Sequence, residues 1–251
     1  MSEIILCACK KGHKISEKSV SDWKEKLDAA QLSYTFVEDL CGSIAKNEVQ
    51  LGDLVKGKEP VFIGCQPKAM KNLVAKISSN DVPNTFQFYN AAESSPEILD
   101  DKEIQKGAPK TIKYEHDWKP WYPVLDYDLC TSCQKCMNFC LFGVYALDDD
   151  GMVVVENPAN CKDLCPACAR TCPSNAIVFP KHHESPIDGG KGELPIFDGG
   201  NFLNQIQQSQ DVYKLLANRR KTSGIALMKD QLSLADKERE ACKNKENNKK
   251  D

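Results

Sequence analysis

The chain alternates short runs of consecutive apolar residues with stretches in which apolar positions recur every three or four residues. Glu3 to Cys9 is the first such run and predicts a short buried strand. Ser19 to Leu32 places Val20, Trp23, Leu27 and Ala30 on one face and predicts an amphipathic helix. A strand at Tyr34 to Val37, a short helical stretch near Ile44, a strand at Val61 to Gly64, a helix from Lys68 to Ile77 and a strand at Thr85 to Tyr89 follow. Strands that alternate with helices predict a small α/β domain with a parallel sheet over residues 1–92.

The pattern then changes. Residues 93–119 read as a linker. The stretch from Ala91 to Lys119 is polar and broken by Ser94-Ser95-Pro96, Asp100-Asp101 and Gly107-Ala108-Pro109, so it should run over the surface. Trp118, Trp121 and Tyr122 close it and are expected to pack over the next domain, residues 120–185. Inside that domain Val144 to Leu147 and Met152 to Glu156 predict a hairpin turning at Asp149-Asp150-Gly151. Residues 186–251 read as a connector and helical tail. Phe202, Leu203, Ile206, Val212, Leu215 and Leu216 fall at helical spacing, and a helix pair broken near Gly224 would use them to cover the N-terminal domain or a second subunit. The charged end, Lys243 to Asp251, reads as disordered, with Cys242 beside it as an isolated thiol. The whole is α/β plus α+β.

Charge narrows the function. There are 33 basic and 36 acidic residues, a net charge of -3, and no basic block that would mark a nucleic-acid footprint. No apolar run approaches the ~20 residues needed to span a bilayer. The start of the chain lacks a basic segment followed by an apolar signal core, which predicts a cytoplasmic protein. No carboxylate pair, hydrolase triad or phosphate-binding loop stands out, and the glycines of Asp188-Gly189-Gly190-Lys191-Gly192 lack a strand before and a helix after them.

The cysteines carry the chemistry. Eight of thirteen sit in two runs, Cys130-x2-Cys133-x2-Cys136-x3-Cys140 and Cys161-x3-Cys165-x2-Cys168-x3-Cys172-Pro173. Structural zinc takes two pairs split by a longer spacer, and disulfides need an oxidising compartment; neither matches four cysteines within a dozen residues, twice. The doubled spacing predicts two iron–sulfur cubanes. His182 and His183 follow the second run, but eight thiolates already satisfy two cubanes, so both histidines read as surface residues.

Over residues 124 to 182, including the Cys172-Pro173-x2-Ala176-Ile177 tail, the chain resembles the bacterial dicluster ferredoxins. It departs from them at Cys140-Leu141, where they usually have Cys-Pro, and in the three-residue gap Lys162-Asp163-Leu164 where two is usual. The resemblance implies two [4Fe-4S] clusters with crossed ligation, because in that family the last cysteine of each run ligates the other cluster. Cys130, Cys133, Cys136 and Cys172 are then one set, and Cys161, Cys165, Cys168 and Cys140 the other.

Four more cysteines fall at carboxyl ends of the predicted N-terminal strands: Cys7 and Cys9 after the first, Cys41 after the second, Cys65 after the third. In an open parallel sheet those ends share one edge, where ligands bind. Cys7-Ala8-Cys9, Leu40-Cys41-Gly42 and Ile63-Gly64-Cys65-Gln66-Pro67-Lys68 resemble the N-terminal domain of the heterodisulfide reductase flavoprotein subunit, although Lys10 and Gln66 depart from it and the flavin domain is absent. That resemblance implies a third iron–sulfur cluster. On the residues alone, a redox-active dithiol or plain core cysteines also stand open.

The resulting expectation is an iron–sulfur electron-transfer protein or subunit that passes low-potential electrons between a soluble donor and an oxidoreductase, with a flavoprotein as partner and association into homo- or hetero-oligomers left open. Residues 118–185 hold eight acidic and five basic side chains, which favours a partner with a basic docking face. The alternative is a reductase whose active site is the N-terminal cysteine group, with His13 as the nearest candidate base.

Overall fold

The structure is a computed structural model and describes residues 2–46, 52–55, 59–78, 82–99, 103–191 and 225–247. Its first half is built on a five-stranded parallel sheet in the order β4-β3-β1-β2-β5. The strands are β1 (Ser2–Cys7), β2 (Tyr34–Val37), β3 (Glu59–Gly64), β4 (Gln87–Asn90) and β5 (Lys110–Ile112), and every pairing between neighbours is parallel. β1 is central, and Ile4, Ile5 and Leu6 are fully buried. This is the pattern of a parallel strand covered on both faces, where the run is continuously apolar rather than alternating.

The covering helices follow from local chemistry. Ser16 caps α1 (Glu17–Ala29) by accepting a hydrogen bond from the Ser19 amide at 3.0 Å. Trp23 and Leu27 form its buried stripe, and the Trp23 indole donates to the Ala91 carbonyl at 3.0 Å. Pro67 opens α4 (Pro67–Ala75), where its missing N–H costs nothing, and Met70, Leu73 and Val74 pack inward. Each such side chain contributes roughly 1.5–3 kcal/mol of burial. Two shorter helices, α2 (Leu40–Ala45) and α3 (Gly52–Val55), complete this half.

The segment read as a surface linker is corrected in part. Lys110–Ile112 adds the fifth strand beside β2, with Thr35 opposite Lys110 and Val37 opposite Ile112, and single bridges join Ser2 to Ile104 and Leu32 to Lys106. Smaller shifts are that β1 ends at Cys7 with Cys9 in the following loop, α1 runs Glu17–Ala29, and β4 runs Gln87–Asn90.

The second half has far less regular structure. β6 (Val124–Leu125) pairs antiparallel with β9 (Ile177–Val178). Between them lie α5 (Lys135–Phe139), a hairpin of β7 (Tyr145–Leu147) and β8 (Val153–Val155), and α6 (Ala167–Thr171). Ser185 to Lys191, the described part of the expected connector, folds back onto α4; a Cβ on Gly189, at φ +87°, would sit 3.1 Å from the Ala69 amide nitrogen. A long helix, α7 (Ile225–Asn247), packs on α6. It extends into the end read as disordered. The apolar stripe from Phe202 to Leu216 and the break near Gly224 lie outside the described residues.

Candidate metal centres

The two cysteine runs are interleaved in space. Cys130, Cys133, Cys136 and Cys172 line one small cavity. Cys140, Cys161, Cys165 and Cys168 line a second. The cause is local. Cys136 sits in the first turn of α5 and Cys140 just beyond its last, so a helix rising about 6 Å holds them apart. Cys168 and Cys172 stand in the same relation to α6. Each short helix therefore divides its cysteines between the two cavities.

Electrostatics follow the same division. Burial, with the neighbouring Cys172, Cys130 and Cys133 adding to it, pushes the Cys136 thiol up to about 11. Burial raises Cys168, and so do Cys161, Cys165 and Cys140. The sets differ in cover: Cys133 is exposed, whereas Cys165 and Cys168 are buried. The Tyr145 hydroxyl donates to Cys168 Sγ at 3.0 Å, and the Ala176 amide donates to Cys172 Sγ at 3.3 Å.

A third group of thiols gathers at the carboxyl edge of the parallel sheet. Cys7 ends β1, Cys9 follows in a left-handed conformation at φ 50°, Cys41 is in the first turn of α2, and Cys65 follows β3. None is more than 8% exposed. Burial raises Cys7, and Cys9 and Cys65 add to the rise; Cys41 is raised by burial and feels both Cys65 and Cys9. The order of the sheet explains the convergence, because the chain leaves β1 toward β2 on one side and returns to β3 on the other, opening a crevice at that edge.

The second half supplies a cation to this crevice. The Lys181 ammonium bonds to Asp39 Oδ2, and both side chains are almost fully buried, at 3% and 1%. Burial opposes the charge on Lys181, but Cys41, Cys9 and Asp39 outweigh it and hold its pKa high. Its stem lies on Gly12, where an added Cβ would sit 2.6 Å from Lys181 Cδ and 3.0 Å from Cys9 Sγ. Asp39 is also the N-cap of α2, accepting from the Gly42 amide at 3.0 Å, and it accepts from the Lys11 amide at 3.1 Å. The hydroxyl of buried Tyr122 donates to the Cys41 carbonyl at 2.7 Å, while the indole of Trp121 reaches the Cys165 carbonyl at 3.5 Å. Adjacent residues thus touch the N-terminal group and the second cavity.

Two sequence readings change here. His182 is buried at 6% exposure and stacks on His183, which is exposed; its Nδ1 accepts from the Glu184 amide at 3.0 Å. Cys242 is not isolated: it is buried beside Cys165 and Ala167. His13 is exposed at the surface. Sequence reasoning missed Lys181 and Asp39, although an aspartate directly before Leu40-Cys41-Gly42 is a legible helix cap. All thirteen cysteines are free, and among the described residues no three or more Cys, His, Asp or Glu side chains are grouped to hold a single metal ion. Thiols that line a cavity instead of meeting at a point suit a multi-iron cluster, whose ligands sit on separate corners.

Residues 122–187 match the 4Fe-4S dicluster domain family. Over 120 residues the chain is 35% identical to an uncharacterized ferredoxin of Methanocaldococcus jannaschii, a match covering 43% of this chain and 81% of that protein. The chain belongs to the dicluster ferredoxin family. Over 61 residues this ferredoxin is also 35% identical to the pyruvate synthase subunit PorD of the same organism, covering 24% of the chain and 69% of that subunit. No solved structure matches. The ferredoxin carries two [4Fe-4S] clusters and an iron–sulfur electron-transfer role. Its own residues fit that cofactor: two cavities, each lined by four unpaired thiols, offer the soft donor set that iron–sulfur clusters take. Among the described residues no helix is long and apolar enough to cross a membrane.

Proposed function

We propose that this ferredoxin is a linear electron carrier with three iron–sulfur sites. Cys130, Cys133, Cys136 and Cys172 ligate one cluster; Cys161, Cys165, Cys168 and Cys140 ligate the second; Cys7, Cys9, Cys41 and Cys65 ligate a third. Each cluster, when bound, takes up and releases one electron. The chain's residues hold the clusters in line, exclude water and set their potentials. The observation that carries this reading is the sorting of twelve thiols into three separate groups of four, two of them built across both cysteine runs.

Several features support the third site. Its resemblance to the heterodisulfide reductase N-terminal domain points the same way. Four thiolates and a cluster would form a buried anion, and Lys181, which it would share with Asp39, is the buried cation beside it. A nucleophilic thiol, by contrast, needs exposure and a lowered pKa. All four thiols here are buried, and Cys65 is pushed up to about 12, first by burial and then by Cys9. The reductase alternative therefore has no thiol suited to it. The Trp121-Tyr122 dipeptide, hydrogen-bonded to the backbone of Cys165 and Cys41, links the N-terminal site to the second cavity.

Electrons leave on this reading from the first cluster, beside exposed Cys133. The exposed Asp148, Asp149 and Asp150 of the hairpin turn border that loop, where the Val153 amide donates to Ser132 Oγ at 3.1 Å. A redox partner with a basic face would be steered there. The likeness to a pyruvate synthase subunit supports an oxidoreductase complex as that partner, and a flavoprotein is our specific choice. The test is iron analysis with redox-poised EPR on the full chain purified without oxygen. About twelve irons per chain are expected, falling to about eight in Cys41→Ala and in Cys65→Ala. Eight irons in the unmodified chain, unchanged by those substitutions, would refute the third site.

A further inference from the structure

Four thiols line the second cavity, as many as a cubane takes, and a fifth lies just outside it against Cys165. The fifth is Cys242, on α7, and its placement is built rather than incidental. Ala235, Glu238 and Cys242 recur at spacings of three and four, so they share one face of that helix. Ala235 and Cys242 are 0% and 5% exposed and pack with Cys165 and Ala167. Glu238, between them, is gripped by Arg170 of α6, whose Nε lies 2.9 Å from each carboxylate oxygen. Arg239 sits 4.2 Å from the ring centre of Phe139, the residue before Cys140. The helix is thus pinned on both sides of the cavity, by neighbours of Cys168 and of Cys140.

A second observation points to the same spot. The gap between Cys161 and Cys165 holds three residues, Lys162-Asp163-Leu164, one more than the gap between Cys130 and Cys133, and its last residue is left-handed at φ 62° as Ser132 is at φ 49°. The carbonyl of Asp163 in this loop receives the Cys242 thiol at 4.0 Å. The departure from the usual two-residue gap therefore lies against α7. Cys242 is within hydrogen-bond reach of Cys165 and lies near Cys161. The other cavity has no counterpart, since the remaining four cysteines all lie at the sheet edge.

We propose that Cys242 is a reserve ligand for the second cluster, taking the iron held by Cys165 when that bond opens. This rests on the reading of Cys140, Cys161, Cys165 and Cys168 as the second ligand set. In the exchange one iron–sulfur bond to Cys165 Sγ breaks and one to Cys242 Sγ forms. The proton of the Cys242 thiol passes to Cys165, and no electron is gained or lost. The cluster keeps four thiolates throughout, so it does not shed the iron at that corner.

The test uses the full chain, produced without oxygen, with iron analysis, Mössbauer spectroscopy and EPR as readouts. Cys242→Ala should keep both four-iron clusters of the dicluster domain. Cys165→Ala and Cys165→Val should also keep both, whereas Cys133→Ala, which has no spare thiol, should lose its own four-iron cluster. Combining Cys242→Ala with either Cys165 substitution should convert the second cluster to a three-iron form or remove it, a loss of one to four irons. Two different residues at position 165 guard against a folding defect in one of them. If both single Cys165 variants lose the cluster as completely as the double variants, the reserve role is wrong. Loss in Cys242→Ala alone would make it a resident ligand and overturn the proposal too. A double variant that keeps the four-iron cluster would instead overturn the ligand set itself.

Discussion

The sheet region and the dicluster region both collect cysteines, but on opposite physical grounds. In the first, Cys7, Cys9, Cys41 and Cys65 hang on a five-stranded sheet with its own covered core of Ile4, Ile5, Leu6, Phe62 and Ile63. In the second, no strand exceeds three residues, and α5 and α6 have five residues each. The thiols of the first are guests of a scaffold that apolar burial already stabilises. Those of the second surround the volume where a core would otherwise be, so metal substitutes for apolar packing. One chain thus uses both ways of holding thiols in place.

The largest expected effect separates the two directly. Complete removal of iron from the full chain by a chelator under reducing conditions should abolish amide protection across residues 122–187 while β1 and β3 keep theirs, as read by hydrogen exchange. Equal protection in both regions would erase the distinction. A smaller effect is expected from Asp39→Asn, which removes the buried carboxylate paired with Lys181 while leaving a side chain that can still cap α2. Leaving that ammonium unpaired should cost about 3–5 kcal/mol, seen as a lowered denaturation midpoint of the sheet region. Within the dicluster region, Tyr145→Phe deletes the hydroxyl donor to Cys168 Sγ. Losing about 1 kcal/mol of preference for the reduced cluster corresponds to roughly 40 mV, and only the second cluster's potential should fall.

A separate effect concerns how the regions are clamped together. Lys14 of the sheet region bonds to buried Asp188 at 2.8 Å. Burial opposes the charge on Asp188, but Lys14, the Gly190 amide and Ser185 outweigh it and lower its pKa. A carboxyl lowered on folding adds stability above its unfolded pKa of about 3.9, and that stability is lost as pH falls through the folded value. Asp188→Asn should therefore weaken the clamp by about 1.5–3 kcal/mol near neutrality and flatten the acid limb of the stability curve. An unchanged acid limb would show that the pair does not hold the regions together.

The parts legible in the sequence were those with a local cause. The buried strands betrayed themselves by unbroken apolar runs, α1 and α4 by their helical stripes, and the hairpin by Asp149-Asp150-Gly151. The eight clustered cysteines stood out by spacing alone. What stayed hidden depended on distant neighbours. β5 is three residues long with only Ile112 buried, too short for any period to show. Lys181 and His182 look like surface residues until the fold lays them over the sheet edge and beside Trp121. Cys242 lies in a charged helix, and its meeting with Cys165 exists only because Arg170 draws Glu238 onto α6. Polar residues buried by another segment leave no periodic trace.

Crossed ligation is the feature on which the account of the dicluster region turns, and Cys140→Ala tests it most directly. Potentiometric EPR on this variant, compared with the unmodified full chain, should show loss of the cluster held by Cys161, Cys165 and Cys168, identified as the one whose potential responds to Tyr145→Phe. The signal from the cluster held by Cys130, Cys133 and Cys136 should persist. If the Tyr145-sensitive signal survives and the other disappears, Cys140 serves the cluster of its own run and the crossed assignment is wrong.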